Sequence, residues 1–315
     1  MKPVLDVDLG GIPLRSPVMA ASGCLRSIRD VHGLVDVRRL GAIASVSVTA
    51  QPVAGSAGPR VAETPSGLLH DTGHQNPGLD VFLAQELPVL ARTRVPVFAS
   101  VGGATLEEYL RVGTALAEAP GVVALEVNLA CPSAERGGAL FAHRSDHAAE
   151  VVGAVARSTR LPVFAKLTGD VADIVDIAGA CIQAGAHGLT LIGSIPGMGI
   201  APASRSPRLG AVTGWVSGPA IRPVAVRAVF LVSRAFPDVP IIGVGGVADA
   251  SSAVEFLLAG AWAVQVGTAM LVDPDAPLEI TKGIIGYLRR HKIADPSQLR
   301  LALRPARPAA DGGSS

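Results

Sequence analysis

Residues 240–269 read PIIGVGGVADASSAVEFLLAGAWAVQVGTA, and this stretch decides the fold. It opens with an almost unbroken apolar run at 240–245. A helix-forming segment follows at 251–259, and a second apolar run closes it at 263–267. Strands that are apolar on both faces belong to a sheet covered on both sides, and a helix between two of them makes a parallel strand–helix–strand unit. Both runs end in glycine, at Gly245-Gly246 and at Gly267. Such strand ends let the backbone come close to a ligand.

The same rhythm extends back to the N-terminus. Strands are expected at 17–22, 42–48, 96–101, 122–129, 162–167 and 188–194, in addition to 240–245 and 263–267. Helices are expected at 106–119, 147–158, 174–184, 220–235 and 251–259. Three strands begin at a proline, Pro96, Pro162 and Pro240, a position where no ladder donor is needed. Eight strand–helix units favour a closed α/β (β/α)8 TIM barrel over an open doubly wound sheet. Segments 4–8 and 12–15, joined by Gly10-Gly11, read as an N-terminal β-hairpin closing the barrel floor. The expected organisation is one barrel domain over 1–304, with a disordered Pro/Ala/Gly/Ser-rich tail at 305–315. Two long stretches, 49–76 and 195–219, follow the second and sixth strands. Loops after barrel strands lie on the C-terminal face, where active sites are built.

Of the 315 residues, 49% are hydrophobic and 17% charged, with a formal net charge of +1, so a large core is available and no basic stripe invites nucleic acid. Cys24, Cys131 and Cys181 stand far apart, which excludes a disulfide framework, a zinc site or an iron–sulfur cluster built from this chain alone. The opening MKPVLDVDLGGIPL holds no long apolar run, so a cytoplasmic protein without a membrane partner is expected.

Chemistry is sought at the strand ends. Glycine-rich ends on strands seven and eight are a common barrel phosphate site. The same glycines lack the spacing of a dinucleotide fingerprint. Lys166, one of four lysines, lies inside the apolar strand VFAKL, where burial demands an anionic partner or a ligand. In ALEVNLACPS, Glu126 and Asn128 share one face of strand four, and Cys131 follows at its end, where a thiol is placed to move a proton. His70 and His74 lie in a loop broken by Gly73 and Pro77, a poor frame for a metal, so no metal site is expected.

The motifs ASGC (21–24), PRVAETPSG (59–67), QNPG (75–78), EVNLACPS (126–133), FAKLTG (164–169), SGPAIRP (217–223), GVGG and VGTA occur in order. Together they resemble the dihydroorotate dehydrogenase family, class 1, and most of all its heterodimer-forming branch. The resemblance implies FMN held by Ala21, Ser22, Ser47, Asn128, Lys166, Ser217, Gly218, Gly245, Gly246, Gly267 and Thr268. It implies Cys131 as the base opposite the flavin N5, and Lys166 as the cation that stabilises the reduced flavin. The implied reaction removes a proton and a hydride from neighbouring carbons next to a carbonyl. His70, Asn128, Ser133 and Ser194 are the expected contacts to a small-molecule substrate.

The chain departs from the family where substrate is gripped. Val46 stands at the position of a lysine, His70, Ser133 and Gly193 at positions of asparagines, and Ser100 replaces another asparagine near the flavin. The expectation is therefore an FMN-dependent oxidoreductase acting on a CH–CH bond of a substrate other than dihydroorotate. A genuine dihydroorotate dehydrogenase with an atypical pocket is the first alternative, and an inactive FMN-binding partner subunit the second. The family pattern further implies an electron-transfer subunit and a homodimeric core.

Overall fold

The computed structural model describes residues 4–25 and 34–304. The expected tail at 305–315 lies outside the described residues.

Eight parallel strands close into a barrel: Val18–Ala20, Ile43–Ala44, Val97–Val101, Val122–Asn128, Val163–Leu167, Gly188–Leu191, Ile241–Val244 and Ala263–Val266. Each pairs with its sequence neighbours, and Ala263–Val266 closes the ring on Val18–Ala20. The eight strands anticipated from apolar runs are all present, with trimmed ends. The five anticipated helices are also found, at Leu106–Ala117, Ser145–Ser158, Ile174–Gln183, Arg222–Ala235 and Ala250–Ala259. Their caps are written in the sequence: Thr105 accepts from the Glu108 amide, and Asp249 with Ser252 forms a capping box.

Among the described residues, besides the short helix Thr268–Val272, two longer α-helical regions lie outside the expected set. One runs from Leu79 to Arg92 and includes a wide turn at Phe82–Glu86. Pro88 explains that turn, because its ring excludes the carbonyl four residues earlier from an ordinary helical position. The other is Ala276–His291, which packs on the Ala250–Ala259 helix. Among the described residues no helix is long and apolar enough to cross a membrane.

The barrel interior is layered. The hairpin Val7–Asp8/Pro13–Leu14 plugs the floor, with Leu9, Ile12 and Leu14 packed under Met19, Phe98, Phe164 and Ile242. Phe98 and Phe164 meet edge to face with centroids 5.3 Å apart. His187 Nε2 lies 2.7 Å from the Gly10 carbonyl and fastens the plug to the barrel. Above this apolar floor the interior turns polar, with Ser100, Glu126, Thr190 and Gln265 all fully buried.

The two long stretches are not plain loops. Val61–Thr64 and Gly67–His70 from the first pair with Gly214–Ser217 and Ile195–Gly197 from the second, making a four-stranded antiparallel sheet. The turn at Pro65-Ser66 between two runs of four residues was the available signal. The cross-loop pairing had none, since its partners lie well over a hundred residues apart.

Candidate active site

A cavity of about 530 Å³ opens at the C-terminal end of the barrel, within the size range of small-molecule sites. The four-stranded sheet supplies one wall through Val61, Leu68, His70, Trp215 and Ser217. The barrel supplies the rest.

Strand two is cut short at Ile43–Ala44, against the expected span 42–48. Ser45 Oγ accepts the Ser100 amide at 2.9 Å in place of a backbone carbonyl, and regular pairing resumes only as a bridge from Val48 to Val101. The irregularity between them breaks the alternation of a strand, so the consecutive residues Val46 and Ser47 both reach the cavity.

All eleven residues expected to hold a flavin nucleotide line this single cavity. They fall into two groups. Gly218, Gly245, Gly246, Gly267, Ser217 and Thr268 surround one end, where Thr268 donates to Ser217 Oγ at 2.9 Å. Gly246 has φ +85, and a Cβ there would lie 2.7 Å from Arg222 Cβ, so only glycine fits this turn. Ser22, Ser47, Asn128 and Lys166 line the remainder, and Ala21 borders Gly267. Asn128 Nδ2 donates to Ser47 Oγ at 3.0 Å, and Ser47 Oγ is 2.9 Å from Ser100 Oγ.

Lys166 finds its anionic partner in Glu126, Nζ to Oε1 at 3.1 Å. The sequence placed Glu126 inside the barrel but gave it no role. Its other oxygen accepts from Thr190 Oγ1 at 3.1 Å and from Gln265 Nε2 at 2.8 Å.

His70 and Ser194, expected substrate contacts, face each other across the cavity wall, Nε2 to Oγ at 3.1 Å. Burial pushes the His70 imidazole below the usual histidine range, against the pull of Asp71, so the ring is neutral near pH 7. Val46 and Gly193 also line the cavity. Trp215, Ile192, Cys24 and Leu271 are lining residues that sequence reasoning did not name for the site.

Two expected residues sit elsewhere. Cys131 is 4% exposed and lies behind the wall that its neighbours Ala130 and Pro132 form. Its sulfur packs beside Gly102 and lies near the Tyr109 hydroxyl, which donates to the Asn128 carbonyl. Burial pushes the Cys131 thiol up, with the Tyr109 contact opposing. Ser133 is fully buried behind the same wall, and its hydroxyl has no partner among the described residues. The alternation of 130–133 explains both placements: 130 and 132 face in, 131 and 133 face out. Cys24, by contrast, borders the cavity, and burial raises its thiol to about 11 even with Lys166 nearby.

A closed parallel barrel with a glycine-edged cavity, a mostly buried lysine and polar side chains at its C-terminal end belongs to the class of barrel enzymes with a small-molecule site on that face. Sequence comparison narrows this class. The family model for dihydroorotate dehydrogenase matches residues 4–288, and the chain belongs to that family. A protein of Geotalea daltonii named dihydroorotate dehydrogenase B (NAD(+)), catalytic subunit, is 46% identical over 303 residues, 96% of this chain and 99% of the relative. Proteins of the same name from Pelobacter propionicus and Geobacillus kaustophilus are 44% identical over 303 residues and 46% over 270 residues. They cover 96% and 86% of this chain, and 99% and 86% of their own lengths. The chain is thus an oxidoreductase acting on a CH–CH bond, and the alternative of an inactive partner subunit falls away.

Proposed function

We propose that this chain is the catalytic subunit of an NAD-linked dihydroorotate dehydrogenase that binds FMN and converts dihydroorotate to orotate. The single observation that carries the reading is the set of near-full-length relatives bearing that name, at 46% identity for the protein of Geotalea daltonii. The expectation of a different substrate gives way to it. The cavity supports the cofactor: its glycine and hydroxyl end suits a phosphate, and Lys166 lines the remainder. A side chain at Gly267 would stand 3.5 Å from Ala21 Cβ, inside space the cavity uses, so the glycine keeps that end open.

The glycine and hydroxyl end, with Ser47, Asn128 and Lys166, would hold FMN, which would supply the hydride acceptor for one of two neighbouring substrate carbons. Lys166, held by Glu126, would present its positive charge to a flavin ring there. Asn128 and Ser47 would supply polar groups beside it. Cys131, at the end of strand four, would accept the proton from the second carbon as its thiolate and become the thiol, the role the family pattern gives it. To act it must swing from its pocket beside Tyr109 toward the cavity. His70 and Ser194 hold the substrate from the side of the four-stranded sheet. The name of the relatives implies a second subunit that passes electrons to NAD+, and it does not speak for a homodimer.

A second reading survives on one observation: Val46 and Gly193 line the cavity and bring no side-chain donor to a planar anion. Each polar group left buried and unpaired costs about 1–3 kcal/mol, so these two losses would move micromolar orotate binding toward millimolar. Titration of the bound flavin's absorbance with orotate, beside rapid-mixing reduction by dihydroorotate, decides. Micromolar binding with rapid reduction supports the dihydroorotate assignment. Millimolar binding with slow reduction supports an altered substrate of the same reaction class.

A further inference from the structure

Glu126 is the most deeply placed ionisable side chain around the cavity, and the proposed reaction gives it no step. Its carboxylate is fully buried at the centre of the barrel. Three donors converge on it from three different strands: Lys166 Nζ at 3.1 Å, Thr190 Oγ1 at 3.1 Å and Gln265 Nε2 at 2.8 Å. Gln265 turns its amide nitrogen to the carboxylate and leaves its own Oε1 buried without a partner among the described residues. An amide accepts that orphan only where the neighbour needs donors and offers none, which is the behaviour of an ionised carboxylate.

The arrangement constrains Lys166. A lysine has a flexible four-carbon stem and snorkels toward water when it is free to do so. Here its side chain is 13% exposed and its ammonium is tied to the barrel axis instead of reaching out through the cavity. The carboxylate also offsets charge. A bare buried ammonium would act on a nearby ring at full strength, because screening inside the barrel is weak.

We propose that Glu126 is a positioning residue that fixes the Lys166 ammonium at the inner wall of the cavity and offsets part of its charge, so that the ion pair, not the lysine alone, sets how readily a bound flavin gains electrons. This deepens the FMN reading above and rests on it. Removing the negative charge while keeping the shape should make reduction easier. Removing the positive charge should make it harder. A merely structural role would loosen the site in both cases and move both variants the same way.

The experiment is the two-electron midpoint potential of the FMN-loaded protein at pH 7, measured for wild type, Glu126→Gln and Lys166→Met. FMN dissociation constants are measured in parallel by flavin fluorescence. Glu126→Gln should shift the reduction equilibrium about tenfold toward the reduced form, about 30 mV more positive. Lys166→Met should shift it by a similar factor in the opposite direction. If Lys166→Met does not fold, the doubly neutral Glu126→Gln/Lys166→Met replaces it, and its potential should fall below that of Glu126→Gln alone. FMN bound at an unmoved potential in Glu126→Gln, or shifts of the same sign in both variants, overturns this inference alone. Wild type that takes up no FMN overturns the cofactor reading, and this inference with it.

Discussion

His70 Nε2 lies 3.1 Å from Ser194 Oγ, a contact that ties the stretch after strand two to the end of strand six. It also brings a histidine buried enough for its charge state to report on folding. Burial lowers the imidazoles of both His70 and His74 from 6.5, with Asp71 pulling the other way. Between those lowered values and 6.5 the unfolded chain binds more protons than the native one. Stability from these groups is therefore fully present above pH 6.5 and is lost as pH falls through the folded values. The melting temperature should hold level from pH 8 to 7 and decline below 6.5, more gently in His70→Gln. An identical decline in the variant would remove His70 from the effect.

Cys131→Ala should lower turnover by about 10²- to 10⁴-fold, the range for a lost proton-transfer group, and leave FMN content near normal. Because burial raises the thiol above its ordinary 9.0, wild-type turnover should still be climbing at pH 9 if thiolate formation limits it. A fully active Cys131→Ala enzyme would transfer the proton-moving role to His70, the neutral base on the cavity wall.

Lys166→Met leaves the Glu126 carboxylate buried with its cation gone. Breaking a buried pair from one side typically costs about 3–5 kcal/mol, whereas removing both charges costs far less. Urea midpoints should therefore drop sharply for Lys166→Met and recover most of the loss in Glu126→Gln/Lys166→Met. Additive losses in the double variant would show that the two residues are not coupled.

Gly246→Ala forces a side chain into a left-handed turn with φ +85, 2.8 Å from the Gly218 carbonyl oxygen. The backbone term alone is about 1–2 kcal/mol, and the contact adds to it. FMN retention through gel filtration should fall and the melting temperature with it. Gly286→Ala is the control: it lies inside the Ala276–His291 helix with nothing within 4 Å, and should stabilise by about 0.5–1 kcal/mol. Equal behaviour of the two would discount the turn.

The barrel was legible because each strand carries its own mark. Runs such as 18–20 and 241–244 are apolar on both faces, a property set by the covering helices and recurring along the chain. The cavity-lining residues were legible for a related reason. Strand ends in a parallel barrel all meet on one face, so Gly245, Gly267, Asn128 and Lys166 had to converge once the strands were placed. Recognition of the family motifs then assigned them roles. The substitution pattern at Val46, His70 and Gly193 was also visible in the sequence, but the near-full-length relatives outweigh the change of substrate it suggested.

What the sequence alone determined was what local period and turn residues carry: strand number, the helices between strands, the floor hairpin and the glycine turns. Tertiary structure decided what depends on partners distant in the chain. The wall made by Gly67–His70 against Gly214–Ser217 exists only because two insertions meet above the barrel. The irregularity at Ser45–Ser47 arises because a serine hydroxyl displaces a ladder carbonyl, and it puts both Val46 and Ser47 on the cavity. The outward turn of Cys131 and Ser133 follows from the bridge between Pro132 and Leu140, which fixes which side of that segment faces in. Glu126, too, reads as one more inward residue until strands five, six and eight bring Lys166, Thr190 and Gln265 to it. A buried charge is tolerable only where enough partners converge, and that convergence is a property of the closed ring of strands.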